Sequence, residues 1–183
     1  IERSERTIGQ AKSGRYEIHF AQQPPFGFWS GTLLGECACA LPLHDPSGQV
    51  ERLRRQVAAY PEALRRVVLD DMLSGVAFGL TAFAGKFAAR GDVWGTASCL
   101  ARCVWQLGLA LFALNHCYLV NDKTLLAEID GFAFAPEGFR VRAEAVLSAP
   151  GRTPSELGSA IDAVAALHRE TLALSSPPAA SRC

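Results

Sequence analysis

The stretch Cys103 to Val120 is 18 residues long and apolar apart from its interruptions at Gln106, Asn115 and His116. That length reaches the lower limit for crossing a bilayer, but the polar interruptions and the adjacent Arg102 favour a helix buried inside a protein. The helical pattern begins earlier, at Val93, after Gly91-Asp92 has stopped one helix and capped the next, and is expected to run to about Tyr118. Trp94, Leu100, Val104, Trp105, Leu107, Leu111 and Leu114 then leave almost no polar stripe. A helix apolar on nearly every side belongs at the centre of a bundle, so the chain is expected to be mainly α.

The rest of the sequence is organised around that helix. One helix is expected over about Gln49 to Ala59, and a second from Pro61, proline being favoured in a first turn, to about Arg90. Gly75 and Gly79 lie four apart on it, which costs about 1 kcal/mol each relative to alanine and predicts close approach of a neighbouring helix. Shorter helices are expected over about Lys123 to Asp130, Pro136 to Ala149 and Thr153 to Leu174, the last opened by the capping box Thr153-Pro-Ser-Glu156. Before residue 46 the pattern differs. Arg15 to Phe20 alternates, with Tyr16, Ile18 and Phe20 on one face as in a half-buried strand, and Pro24-Pro25 then forbids a regular element. Leu33 to Leu43 is apolar, and His44-Asp-Pro-Ser-Gly48 is a turn that supplies capping side chains. The expected divisions are a strand-containing region over 1–46, a helical bundle over 47–174 and a disordered Ser/Pro/Ala tail over 175–183.

Composition narrows the function classes. With 49% hydrophobic and 20% charged residues, the 183-residue chain has enough apolar material for a core. Eighteen basic residues against 18 acidic ones remove the general electrostatic reason to bind nucleic acid or an anionic membrane. Six cysteines with Ala, Leu and Val as neighbours read as reduced, buried groups, so a cytoplasmic location is expected. Residues Ile1 to Arg6 are charged and carry no apolar leader, and Ile1 in place of methionine suggests a truncated start.

Most chemistry-bearing residues have ordinary explanations. Cys37-x-Cys39 and Cys99-x3-Cys103 lack a second ligand pair at zinc spacing, and His19, His44, His116 and His168 are scattered. Arg52, Arg54, Arg55, Arg65 and Arg66 are interleaved with Glu51, Glu62, Asp70 and Asp71, as on a solvated helix face. The segment Leu111 to Lys123 stands apart, because it passes from the apolar helix directly into Asn115, His116, Asn121, Asp122 and Lys123. Asn115 either bridges two helices or belongs to a pocket, since buried amides must be satisfied. Asn121-Asp122 is suited to cap the following helix, which puts the Lys123 cation in a first turn where an anion is favoured.

Leu111-Phe-Ala-Leu-Asn115 and Asn121-Asp-Lys123, together with Ala89-Arg-Gly-Asp92, resemble the helical C-terminal domain of bacterial nucleotidyltransferase-like proteins of the DNA polymerase beta superfamily. The likeness runs from about Leu69 to Leu174, and Pro42 to Gly48 is similar to the linker that precedes those helices. The resemblance implies a bundle of about five to six helices beside a remnant of an α+β catalytic sheet. It implies a complete form that transfers a nucleotidyl group from a nucleoside triphosphate to a small-molecule hydroxyl, with magnesium. Lys123 would hold phosphate, Asn115 would position it or the acceptor, and Glu17 would stand where the third catalytic carboxylate is expected. The departure is the metal site: no Gly-Ser turn with Asp-x-Asp precedes residue 46, and Gly158-Ser-Ala-Ile-Asp162 and Glu128-Ile-Asp130 fall outside strand patterns. This chain alone is therefore expected to be inactive, as a fragment or a degenerate member. The alternative is a noncatalytic helical module that forms a homodimer or binds a partner, motivated by Gly75 and Gly79. A hydrophobic-ligand pocket lined by Phe83, Trp94, Trp105 and Phe112 is a further expectation.

Overall fold

A computed structural model describes residues 1–23 and 25–175 of the chain. The protein is mainly helical with a short β element near its N-terminus, as the pattern predicts. In order, the elements are α1 (Glu2–Lys12), β1 (Ile18–His19), β2 (Phe28–Trp29), α2 (Thr32–Cys39), α3 (Gln49–Gln56) and α4 (Glu62–Phe78). A π-helical turn, Gly79–Ala84, leads from α4 into α5 (Gly85–Ala88). There follow α6 (Val93–Leu114), a 3-10 turn at Asp122–Thr124, α7 (Leu125–Ile129), α8 (Phe139–Ser148) and α9 (Pro154–Ser175).

The chain forms two compact units: Ile1–Asp70 with Phe112–Leu125, and Asp71–Leu111 with the residues from Leu126 onward. In the first unit α1 packs on α2 and α3, burying Ile8 and Ala11, while Leu34, Leu53, Val57 and Leu64 extend the core. The strands pair antiparallel, Ile18 opposite Trp29 and His19 opposite Phe28, and the ladder stops there. Phe20, expected on the buried face, is 64% exposed. A two-residue ladder with no third strand has no inner face to continue, so alternation beyond His19 buries nothing. The helices α1 and α2 lie on either side of the ladder, within a region of 1–46 for which the sequence pattern suggests no helix.

The second unit is built on α6 up to Leu111. Leu100, Leu107 and Leu109 are fully buried there, and α9 packs on α5 and α8. The glycine spacing on α4 has the predicted cause: a methyl group at Gly75 would come within 2.5 Å of Gln106 Nε2, and one at Gly79 within 3.1 Å of Cys103 Sγ. The seam is thus filled by α6 of the same unit. Helix starts follow their caps. The Asp92 carboxylate accepts from the Gly95 N–H at 2.9 Å, Asp45 accepts from Gln49 and Glu51, and Thr153 and Glu156 close their capping box reciprocally. Those backbone bonds hold the Glu156 carboxyl below its ordinary pKa.

Two helical stretches, 62–88 and 93–114, are long and apolar enough by length and composition to cross a membrane; 72% of the second one's apolar window is buried within the structure. Trp94, expected in that core, is instead 79% exposed, and Phe83 is 46% exposed, while Trp105 and Phe112 are buried. Trp94 lies in the first turn of its helix, where little of the unit reaches around it, so the four rings do not form a common lining. Of the five described cysteines, none in a disulfide, only Cys103 is buried; Cys39 is exposed and the other three are intermediate. The expected tail falls, beyond Ser175, outside the described residues, and Ser175 itself ends α9.

Candidate functional site

All three predicted site residues lie in the first unit, but in different settings. Lys123 stands in the 3-10 turn, its backbone N–H donating to the Asn121 side chain at 3.0 Å, so the predicted cap is present. Its side chain is exposed and lies outside the described clefts. The helix that follows, α7, has only five residues, which weakens the macrodipole that would have drawn an anion. Asn115 is half-buried immediately after α6.

Glu17 lies in a recess of about 280 Å³ with Arg3, Arg6, Gln10, His19 and Ser30 among its lining. The turn of chain before β1 fixes it there from both sides: its backbone N–H donates to Ser30 Oγ at 2.9 Å, and its carbonyl accepts from the Ser30 N–H at 2.9 Å. The Gln10 amide donates to its carboxylate at 2.9 Å, and His19 Nε2 approaches the other oxygen at 3.2 Å. Arg3 sits 6.0 Å over the Phe28 ring. The Glu17 carboxylate is therefore engaged by an amide and an imidazole, and two arginines line the same recess. This is a setting for binding an anion beside a carboxylate, and not the clustered acids that a divalent cation requires. Among the described residues no three His, Cys, Asp or Glu side chains cluster as a metal site.

A second concavity in this unit was not anticipated. It measures about 380 Å³ and is lined by Glu51, Arg54, Arg55, Tyr60, His116 and Tyr118, with Ala38, Val57 and Ala58. The rings of Tyr60 and Tyr118 stack at 4.9 Å, and His116 meets Tyr60 edge-on at 6.3 Å. The Tyr118 hydroxyl is within 3.2 Å of the carbonyls of both Val57 and Ala59, tying the 116–118 turn to the end of α3. Burial pushes the Tyr118 phenol up to about 12 and Tyr60 higher still, so both are neutral donors at ordinary pH. The Tyr60 hydroxyl nevertheless has no partner, and neither has Arg54 Nε, although both are buried.

His116 explains the geometry of this cleft. It ends α6 at φ +56°, with its own N–H bonded to the Ala113 carbonyl and the Cys117 N–H to that of Phe112. That is the helix-terminating motif in which glycine usually takes the left-handed position, and histidine there carries strain. Part of the signal was legible, an apolar helix running into Asn-His with no glycine. Sequence alone gave no reason to connect positions 60 and 118.

Residues 32–123, half of the chain, match the family model of a domain of unknown function, DUF4037. The matched span holds Asn115, Lys123 and every residue of the aromatic cleft, but not Glu17. No curated protein and no solved structure matches the chain.

Proposed function

We propose that this chain, which belongs to the DUF4037 family, serves a nucleotidyltransferase-like protein, in which a small-molecule hydroxyl attacks the α-phosphorus of a nucleoside triphosphate and pyrophosphate leaves. The observation that carries this is the family match over 32–123, DUF4037 being associated with nucleotidyltransferase-like proteins. The residues Leu111 to Lys123, on which the sequence resemblance rests, fall inside the match. Lys123, exposed and without an ion pair among the described residues, is assigned the phosphates, with Asn115 positioning them or the acceptor. Glu17, beside Arg3 and Arg6, is assigned the proton of the acceptor hydroxyl. The location assigned is cytoplasmic.

Magnesium supplies charge neutralisation at the transferred phosphoryl group in such reactions. The residues around Glu17 do not fit that ion, as shown above, so no step is derived through it. What the described residues offer is phosphate binding and proton acceptance. Calorimetric titration with ATP and magnesium tests the proposal. Saturable binding, weakened several-fold by Lys123→Ala, is expected; absence of heat both with this chain and with a form extended upstream overturns it.

A second reading, a noncatalytic module that dimerises or binds a partner, draws on a different feature. Phe78 and Phe83 form an edge-to-face pair, 5.3 Å between centroids, with 61% and 46% of their surfaces exposed. Sedimentation at several concentrations decides it for the homodimer: self-association is expected, and a strictly monomeric species removes that form.

A further inference from the structure

Independently of the transferase reading, we propose that the cleft lined by Arg54, Arg55, Tyr60, His116 and Tyr118 binds a small oxyanion, phosphate or carboxylate, through the Tyr60 hydroxyl and the two guanidinium groups. Four features of the cleft lead there.

Tyr60 is only 8% exposed, yet its hydroxyl has no partner, and Arg54 Nε is likewise buried and unpartnered. A buried donor left without an acceptor is costly, and two lining one concavity mark a place where acceptor atoms are missing. Both orphaned groups can donate, so their complement is an acceptor-rich group rather than a cation.

The charges agree. Glu51 is the one acid in the lining, and it is already engaged by Arg54 Nη1 at 3.0 Å. Arg55 is exposed and has no ion pair among the described residues. His116 Nε2 faces Glu62 at 3.9 Å, but that carboxylate is committed to Arg65 by two hydrogen bonds of 2.7 and 2.8 Å. The lining therefore keeps an excess positive charge. Guanidinium groups and an oxyanion match in both geometry and charge.

Tyr118 does not supply the missing acceptor: its hydroxyl is directed at the carbonyls of Val57 and Ala59, and the Tyr60 hydroxyl has no partner within hydrogen-bond distance. The backbone is also held in a strained left-handed conformation at His116 where glycine would be relaxed, and strain of that kind collects at binding sites. Both donor atoms are shielded from solvent, so binding requires Arg54 and Tyr60 to turn toward the opening, a side-chain adjustment that commonly accompanies binding.

The test titrates the chain separately with inorganic phosphate and with acetate at fixed ionic strength, with chloride as the control, and follows amide chemical shifts. Saturable shifts around residues 54–60 and 116–118 are expected with at least one of the two. Phosphate alone assigns a phosphoryl ligand, acetate alone a carboxylate, and both together an undiscriminating oxyanion site. Tyr60→Phe and Arg55→Gln, each first shown to unfold cooperatively, should each weaken binding about fivefold, the size of a single hydrogen bond. Shifts no larger than those from chloride, or unchanged affinity in both variants, overturn the proposal. Neither substitution touches Lys123, Asn115 or Glu17, so loss of magnesium-ATP binding and loss of oxyanion binding are separate results.

Discussion

The recess at Glu17 and the cleft at Tyr60 belong to the same unit and are both lined by arginines, yet they differ in bookkeeping of their polar groups. Around Glu17, Gln10, His19 and Ser30 satisfy the carboxylate and the backbone, and no buried side-chain group in the lining lacks a partner among the described residues. Around Tyr60, two buried donors are left over. The difference is one of buried donors: those of the recess have partners within the protein, and two of those at the cleft do not. Charge alone does not distinguish them.

The largest effect is expected from Tyr60→Ala, which removes a buried ring stacked on Tyr118 and should cost roughly 3 kcal/mol in denaturant unfolding. Tyr60→Phe keeps the ring and deletes only the unpartnered hydroxyl, so its unfolding free energy should equal or exceed that of the parent. A loss of more than 1 kcal/mol in Tyr60→Phe, on the order of a satisfied hydrogen bond, would break the comparison by showing that the hydroxyl is paired. In the recess the expectation reverses. Ser30→Ala deprives the Glu17 N–H of its acceptor and should destabilise by about 1 kcal/mol, read in the same denaturant titration.

Smaller changes sharpen the contrast. His116→Gly relieves the left-handed strain and should raise stability by up to about 1 kcal/mol while weakening oxyanion binding at the cleft. The smallest effect lies in the second unit. Hydrogen bonds from the Arg142 guanidinium, both 2.7 Å, hold the Glu170 carboxyl below the ordinary carboxylate pKa. The unfolded state binds this proton first as pH falls, so the contribution is present above about pH 4.5 and is lost through the lowered native pKa. Glu170→Gln should therefore flatten the fall of the melting temperature below pH 5, modestly because the pair is only half-buried and screened by solvent.

The helical fold was legible because its signals are local. The run from Leu100 to Leu114, the Thr153 to Glu156 box and the caps at Asp45 and Asp92 act within one or two turns, and each is found where its spacing predicts. The N-terminal region was less legible. Arg15 to Phe20 has the alternation of a strand, but strand length is set by a partner, and β2 supplies only Phe28 and Trp29. α1 offers only Thr7, Ile8 and Ala11 to the core, too few apolar positions for a visible period. At the candidate site, the Asn121 cap was predictable and present. The cleft joining α3, Tyr60 and the 116–118 turn depends on contacts about 60 residues apart along the chain, Tyr118 to Val57 and Ala59, which no local pattern encodes.

The most direct test of the functional account is amide chemical-shift mapping of the chain titrated with ATP and magnesium. Saturable perturbation of Asn115 and residues 119–123, together with Arg3, Arg6 and Glu17, is the predicted result. Perturbation confined to the cleft at Tyr60, or none at all, would contradict the assignment of Lys123 and Asn115 to the triphosphate.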